Sequence, residues 1–387
     1  MRFVSRSGEG EPENRRTGSL RLLPSEGCTG QGSGQDGAVI ASIAFHNFKA
    51  LRSASVRLER FNLLIGPNGS GKSSLIEGIM RMGALARLPA SDLPGDGQDG
   101  GDRAEVRFQF MPPFAAWEVV MRCATRDACD ALQWSRRPDA ADGPVDWEQL
   151  RSRLQRVRRY EFEHAAMVRG TSGADDAELA PDGGNLAAVM HHRRTRHHAA
   201  YDQWRRDVLR ALPEYDQVSA EVASDGRPFI RLRLVEEGEL ITHEELSHGS
   251  LCALAIFCLS TDPEPPSVLC IEDLDRGLHP RLLREARDAL YRLSHPGNGE
   301  PQAMRSQIVA TTHSPYLLDL FREHPEEVVV AEKHGRASTF RRLCDCPDLS
   351  EMMAGVSLGD LWYSGVIGGV PEEPESTSSA ANDGSAP

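Results

Sequence analysis

The feature that most constrains this chain is a glycine-rich octapeptide, GPNGSGKS, at residues 66–73. A short apolar run precedes it at residues 61–65, and a segment with apolar residues at helical spacing follows it at residues 73–81. A strand, a glycine-rich loop and a helix in this order form a phosphate-binding loop. The glycines let backbone N–H groups approach phosphate oxygens, and the helix N-terminus adds its dipole. The sequence therefore predicts a nucleotide site in an α/β fold.

The chemistry of the side chains in this loop assigns them separate roles. Lys72 is expected to reach the β- and γ-phosphates of ATP, and Ser73 is expected to ligate Mg²⁺. Lys72 is one of only three lysines in a chain whose other cationic side chains are arginines. The residues predicted to bind the nucleotide are Gly66, Pro67, Asn68, Gly69, Ser70, Gly71, Lys72, Ser73 and Ser74.

Three further segments follow the loop along the chain. LSHGS, at residues 246–250, begins an apolar segment. An apolar run that ends at residue 271 is followed by Glu272 and Asp273, and another that ends at residue 311 is followed by His313. A buried strand that ends in two acids can present one carboxylate to hydrated Mg²⁺, here Glu272, and one to the attacking water, here Asp273. In a competing register, Asp273 would be the Mg²⁺ ligand and Leu274 would occupy the position of the base. Taken alone, LSHGS indicates a helix N-cap and His313 a structural histidine, but the order of all four segments favours a functional role for each.

This order is that of an ABC-type ATPase. The chain resembles the RecF/SMC/OLD-like branch, most closely the stand-alone predicted ATPases of bacteria, a group that overlaps the ATPase subunits of anti-phage systems such as Septu. Besides the four segments, the resemblance is carried by IAFHNFK at 43–49, DGGNLAAV at 182–189, GLHP at 277–280 and LGDLWYSG at 358–365. It implies an α/β P-loop ABC-type head with an inserted strand-and-helix arm.

The resemblance also implies how the site is completed. Ser247 and Gly249 would contact the γ-phosphate of a nucleotide held by a second copy, so that two heads form a head-to-head homodimer around ATP. His313 would sense the γ-phosphate and orient the water. The family pattern at the acidic strand end is Asp then Glu, whereas this chain has Glu272 then Asp273. The shorter Asp273 would weaken general-base catalysis, a contribution of about 10²–10⁴ in rate, so hydrolysis is expected to be slow.

These features predict an ATP-dependent switch that acts with a partner protein, such as an effector nuclease, in DNA-related defence or repair. Two alternatives remain open, a non-hydrolysing ATP-dependent scaffold and the ATP-binding subunit of a transporter. The predicted organisation is a disordered extension (1–38), a first lobe of the head (39–81), the inserted arm (82–240), a second lobe (241–370) and a disordered tail (371–387). Within the arm, one helix is expected to carry the apolar stripe Trp147, Leu150, Leu154 and Val157, and another to span about residues 185–212.

Charge and composition bound the remaining possibilities. The formal net charge is −13, yet residues 151–210 hold 12 Arg against eight Asp or Glu. A solvated helix face explains this cluster, and contact with DNA or RNA phosphates is the alternative. No apolar run is long enough to span a membrane and no secretion signal is visible, which predicts a cytoplasmic protein. The eight cysteines are accordingly expected to be free thiols.

Overall fold

The computed structural model describes residues 39–88, 103–125, 129–137, 146–171, 176–295, 306–335 and 337–371. The predicted N-terminal extension and all but the first residue of the predicted tail lie outside these ranges. The strands are β1 (Ile40–Phe48), β2 (Leu51–Arg57), β3 (Phe61–Ile65), β4 (Ala104–Phe110), β5 (Trp117–Cys123), β6 (Cys129–Arg136), β7 (Val157–Tyr160), β8 (Tyr215–Val222), β9 (Pro228–Leu234), β10 (Leu240–Thr242), β11 (Val268–Ile271), β12 (Gln307–Thr311), β13 (Val328–His334) and β14 (Ala337–Arg342). The α-helices are α1 (Lys72–Arg87), α2 (Trp147–Leu154), α3 (His164–Arg169), α4 (Leu186–Arg196), α5 (His198–Ala211), α6 (His248–Ser260), α7 (Pro280–Ser294), α8 (Pro315–Asp319), α9 (Leu349–Met352) and α10 (Leu358–Tyr363).

A six-stranded sheet with the order β14-β13-β3-β12-β11-β7 lies at the centre of the fold. Five of its strands run parallel, and β14 is an antiparallel edge. Every residue of β3, β11 and β12 is buried, which is why these strands appear in the sequence as short continuous apolar runs. The α/β fold with a largely parallel sheet is confirmed.

The register of this sheet brings three predicted segments to one edge. Ile271 pairs with Ala310, and Thr311 pairs with Leu64, so β3, β11 and β12 end side by side. The chain leaves these ends into the glycine-rich loop, the acidic pair and the His313 segment respectively. Because parallel strands share a carboxyl edge, segments far apart in sequence converge there.

Two antiparallel sheets flank the central one. The first has the order β2-β1-β4-β5-β6, and the second has the order β10-β9-β8. Within the predicted arm, 82–240, β4 pairs with β1 and β7 pairs with β11, so strands of this segment pair with strands of both predicted lobes. The division into lobes and arm stays a prediction.

Two helix predictions need correction. Val157 does not continue the stripe of the preceding helix, because α2 ends at Leu154 and Val157 begins the edge strand β7. Val157 is nonetheless buried with Trp147, Leu150 and Leu154 in one apolar cluster, so the stripe marked a shared core rather than a continuous helix. The predicted helix at about 185–212 is two helices, since His197 between α4 and α5 has φ −133° and ψ 60°, outside the helical region.

The cysteine prediction is correct for one part of the chain and wrong for another. Cys252, Cys258 and Cys270 are buried free thiols, and burial raises the pKa of Cys270 to about 12. Cys123 and Cys129, in contrast, form a disulfide between the adjacent antiparallel strands β5 and β6. Cys123 and Cys129 are partners in the register of the two strands, so strand pairing brings the two sulfur atoms together.

Candidate nucleotide site

The glycine-rich loop leaves β3 and enters α1 through three residues of positive φ, Gly66 (145°), Gly69 (77°) and Gly71 (101°). Side chains are excluded at two of them by close contacts as well. A Cβ on Gly66 would lie 2.2 Å from the carbonyl oxygen of Ala331, and one on Gly71 would lie 2.5 Å from the Leu51 side chain. The loop therefore needs glycine at these positions, because a side chain at either one would collide with neighbouring atoms.

Lys72 is the first residue of α1 and only 7% exposed. Its Nζ donates hydrogen bonds to the carbonyl oxygens of Gly66 (2.7 Å) and Pro67 (3.1 Å), so the ammonium group lies across the mouth of the loop. Burial lowers the pKa of Lys72, while the nearby carboxylates of Asp273 and Glu272 oppose this shift. Among the described residues, the hydrogen-bond acceptors of this desolvated cation are carbonyl oxygens of the loop, which it can exchange for phosphate oxygens.

The two residues predicted to serve the metal lie in contact. The hydroxyl of Ser73 donates a hydrogen bond of 2.8 Å to Oε2 of Glu272, across a separation of 199 residues. The side chain of Glu272 is 12% exposed, and its other oxygen, Oε1, is 2.7 Å from Nε of Arg159. A hydroxyl and a carboxylate that converge at a phosphate-binding loop are the oxygen ligands that Mg²⁺ prefers.

Asp273 and His313 also converge. Oδ1 of Asp273 is 3.9 Å from Nε2 of His313, and Oδ2 is 3.3 Å from a guanidinium nitrogen of Arg276. Asp273 has a φ of 49°, in the left-handed region, and its backbone N–H donates to Oγ1 of Thr311 at 2.9 Å. The acid that follows Glu272 is thus turned towards the end of the neighbouring strand.

The LSHGS segment forms the start of α6. Ser247 is the exposed N-cap, and its hydroxyl accepts a hydrogen bond of 3.2 Å from the N–H of Ser250. A Cβ on Gly249 would lie 2.2 Å from the carbonyl oxygen of Gly277, in the turn that follows the acidic pair. No contact between this segment and the glycine-rich loop occurs among the described hydrogen bonds and ion pairs, so their approach is left to a second copy in the predicted scheme.

Four residues at this edge were not predicted to belong to the nucleotide site. Arg159 and Arg276 contact the two acids, and Asp275 accepts hydrogen bonds from Oγ1 of Thr312 (2.7 Å) and from the N–H of His313 (3.1 Å). Lys333 brings its Nζ to 3.5 Å from the position of a Cβ on Gly69. Asp275 and Arg276 lie within three residues of Asp273, so their position in the sequence could have indicated them, whereas Arg159 and Lys333 reach the site through strand pairing.

The arginine cluster is largely engaged within the protein. Arg193 is 1% exposed and pairs with Asp262 at 3.1 Å, so it cannot reach an external phosphate. Arg158 pairs with Glu178, and Arg156 donates to the carbonyl oxygen of Pro265. Further members that donate to backbone carbonyls or to Gln203 are Arg151, Arg194, Arg205 and Arg206. These contacts favour a structural explanation for much of the cluster, and nucleic-acid contact stays a hypothesis.

A model of one protein family matches residues 130–319, just under half of the chain, and its description is "AAA domain, putative AbiEii toxin, Type IV TA system". The matched segment contains the LSHGS loop, the acidic pair and His313, and it begins after the glycine-rich loop. Among solved structures, the SMC head domain from Thermotoga maritima aligns with a TM-score of 0.43 and 12% identity, over 78% of this chain and 98% of that one. No curated protein matches the chain. None of the described helices is long and apolar enough to cross a membrane.

The family match and the arrangement of the motifs agree. The matched segment supplies three of the four predicted motifs, and the fourth, the glycine-rich loop, lies beside them at the carboxyl edge of the central sheet. Residues 130–319 are therefore similar to a AAA domain, and membership of the chain in the RecF/SMC-like, ABC-type class of ATPases stays a prediction.

Proposed function

We propose that the protein is a magnesium-dependent, ATP-binding switch that hydrolyses ATP slowly. The observation that carries this proposal is the hydrogen bond between Ser73 and Glu272 beside the buried ammonium group of Lys72. One cation and two oxygen ligands converge on the mouth of a glycine-rich loop at a helix N-terminus. This is the arrangement that binds a triphosphate together with a divalent cation.

The residues present fit both groups. Oγ of Ser70 is buried in the loop without a hydrogen-bond partner among the described residues, and a phosphate oxygen would satisfy it. Lys72 would exchange the carbonyl oxygens of Gly66 and Pro67 for phosphate oxygens. Ser73 and Glu272 would hold Mg²⁺, which supplies neutralisation of the phosphate charge when it is bound.

The catalytic roles follow from the remaining contacts. Asp273 is the proposed general base, since its carboxylate lies beside the strand end where the triphosphate would extend. His313, 3.9 Å away, would orient the water and contact the γ-phosphate. Asp275 holds the backbone of His313 in place and is a positioning residue. Because an aspartate is shorter than the usual glutamate by one C–C bond, we expect a low turnover number.

The switch itself would be dimerisation. Ser247 is exposed at the start of α6 and has no described contact with the glycine-rich loop of its own chain. A second copy would bring its Ser247 and Gly249 to the γ-phosphate, and two nucleotides would be enclosed in a homodimer. ATP binding would then be read out as a change of oligomeric state.

We further propose a cytoplasmic role in defence or repair, with a partner such as an effector nuclease. The family description, which names a toxin–antitoxin system, supports a role in defence. Contact with DNA or RNA remains part of the proposal. A non-hydrolysing scaffold and the ATP-binding subunit of a transporter are the alternatives, and the weak general base favours the scaffold over the transporter.

Sedimentation and ATP turnover test the proposal. The full chain should sediment as a monomer without nucleotide and as a dimer with ATP and Mg²⁺, and phosphate release should be slow but measurable with and without DNA. Dimerisation without phosphate release would favour the scaffold. A chain that binds no ATP at any Mg²⁺ concentration would contradict the proposal as a whole.

A further inference from the structure

Arg159 touches the metal-site carboxylate but has no role in the function proposed above. Its Nε lies 2.7 Å from Oε1 of Glu272, while Ser73 donates to Oε2 of the same carboxylate. The Nε–H bond is not aimed at the oxygen, so this contact is an ion pair rather than a hydrogen bond. Each oxygen of Glu272 therefore has its own partner, and only Oε2 is turned towards the loop.

Strand order explains how Arg159 reaches this position. It lies on β7, which is parallel to β11, and it pairs in register with Cys270, two residues before Glu272. Successive side chains of a strand point to opposite faces, so the neighbouring Arg158 points away and pairs with Glu178 instead. Two adjacent arginines thus have different surroundings.

A cation beside a divalent-metal site would ordinarily repel the metal. Here a second acid balances the charge of Arg159. Its terminal nitrogen donates a hydrogen bond of 2.8 Å to Oε2 of Glu161, whose Oε1 is 3.8 Å from Arg276. Arg276 in turn is 3.3 Å from Asp273, so alternating charges connect Glu272 to Asp273 around the edge of the site. Because Glu161 shares the charge of Arg159, Glu272 keeps negative charge available for a metal.

We propose that Arg159 is a positioning residue for Glu272. It holds Oε1, so that Oε2 stays directed at the Ser73 hydroxyl and the two oxygens face the Mg²⁺ position together. Glu161 makes this possible by balancing the guanidinium charge. The inference rests on the nucleotide site proposed above. It adds Arg159 and Glu161 to that site, and neither residue belongs to one of the predicted motifs.

The test is the Mg²⁺ dependence of nucleotide binding to the full chain, followed with a fluorescent ATP analogue. For Arg159→Ala, the Mg²⁺ concentration that gives half of the metal-dependent gain in affinity should rise about tenfold, as for other residues that orient metal ligands. Affinity measured in EDTA should stay within about twofold, because Arg159 contacts the carboxylate rather than the loop. Arg159→Lys should restore most of the Mg²⁺ response. Arg158→Ala, which removes the neighbouring charge from the opposite face, is the matched control and should behave as the unchanged chain.

Glu161→Gln provides an independent test of charge balance. It should also raise the Mg²⁺ requirement, because the charge of Arg159 is then unopposed, and the effect should disappear in a chain that already carries Arg159→Ala. An unchanged or lower Mg²⁺ requirement in Arg159→Ala, with the thermal unfolding curve preserved, would overturn the inference while leaving nucleotide binding intact. Failure of the unaltered chain to bind the analogue would instead overturn the proposed function and this inference with it.

Discussion

Gly249 lies so close to Gly277 that a Cβ on Gly249 would come within 2.2 Å of the Gly277 carbonyl oxygen. Through this contact, the start of α6 packs against the turn that follows Glu272 and Asp273. The two motifs are thereby held as one unit by backbone packing, before any nucleotide or second copy is involved.

Gly249→Ala should therefore loosen this unit. The backbone has to shift to admit a methyl group, which costs about 1–3 kcal/mol of unfolding free energy by analogy with overpacked cores. Urea unfolding measures this cost, and ATP turnover should fall in the same variant. Gly184→Ala is the control, since a Cβ there would come no nearer than 3.2 Å to a neighbouring atom. If the two variants are equally stable, the close approach of Gly249 to Gly277 does not exclude a side chain at position 249.

Lys72→Ala should abolish ATP binding without unfolding the protein. The described hydrogen bonds of the ammonium group go to the carbonyl oxygens of Gly66 and Pro67, so its removal breaks no hydrogen bond to another part of the fold. Loss of a charge-assisted contact to phosphate predicts an affinity decrease of at least about 10- to 100-fold. Calorimetric titration with ATP and Mg²⁺ measures it, and thermal unfolding without nucleotide serves as the fold control. Unchanged affinity for ATP in a folded variant would contradict the assignment of the nucleotide site.

Ser247→Arg should prevent ATP-dependent dimerisation. An arginine at this exposed position would collide with the γ-phosphate region of the facing copy in the proposed dimer. The substitution also removes an N-cap, a loss of about 1 kcal/mol, so Ser357→Arg at the N-cap of α10 is the matched control. Sedimentation in ATP and Mg²⁺ should show a monomer for the first variant and a dimer for the second. A normal dimer formed by Ser247→Arg would argue against the enclosed nucleotide.

Asp273 should limit the rate of hydrolysis. Asp273→Glu is expected to raise single-turnover hydrolysis, because the longer side chain extends the carboxylate towards the water. Asp273→Asn should leave a stable ATP-bound dimer. The positive φ of 49° at this position disfavours glutamate, so Asp273→Glu should also lose about 1 kcal/mol of unfolding free energy. If Asp273→Asn hydrolyses ATP at the original rate with unchanged Mg²⁺ affinity, Asp273 is neither base nor ligand.

Glu327 should make the stability of the fold depend on pH. It is 4% exposed, and burial raises its pKa from 4.5 to about 8. A carboxyl group that binds its proton more tightly in the folded state stabilises the fold fully below its unfolded pKa. That contribution is lost as the pH rises from about 4.5 towards 8.

Glu327→Gln should remove this dependence, because glutamine stays neutral. Relative to the unaltered chain, its unfolding free energy should increase between pH 5 and pH 9 by an amount on the order of a few kcal/mol. Urea unfolding across this range measures the change. Glu326→Gln, at the half-buried neighbouring position, should leave most of the slope in place. Parallel pH profiles for Glu327→Gln and the unaltered chain would contradict the prediction.

Local sequence was enough to determine the elements that carry the candidate site. The glycine-rich loop, the buried strands β3, β11 and β12 and the acids after β11 each depend on a few neighbouring residues. Short apolar runs bounded by glycine or charge are typical of such buried strands. The predicted roles of Lys72, Ser73, Glu272 and Asp273 follow from those positions and stay predictions.

Tertiary structure alone decided which elements are neighbours. Val157 follows a helical stripe in the sequence, and only its pairing with β11 makes it a strand residue. The same pairing brings Arg159 to Glu272, and the pairing of β5 with β6 brings Cys123 to Cys129. Strand partners and register are set by long-range packing of the whole core, so no local pattern encodes them.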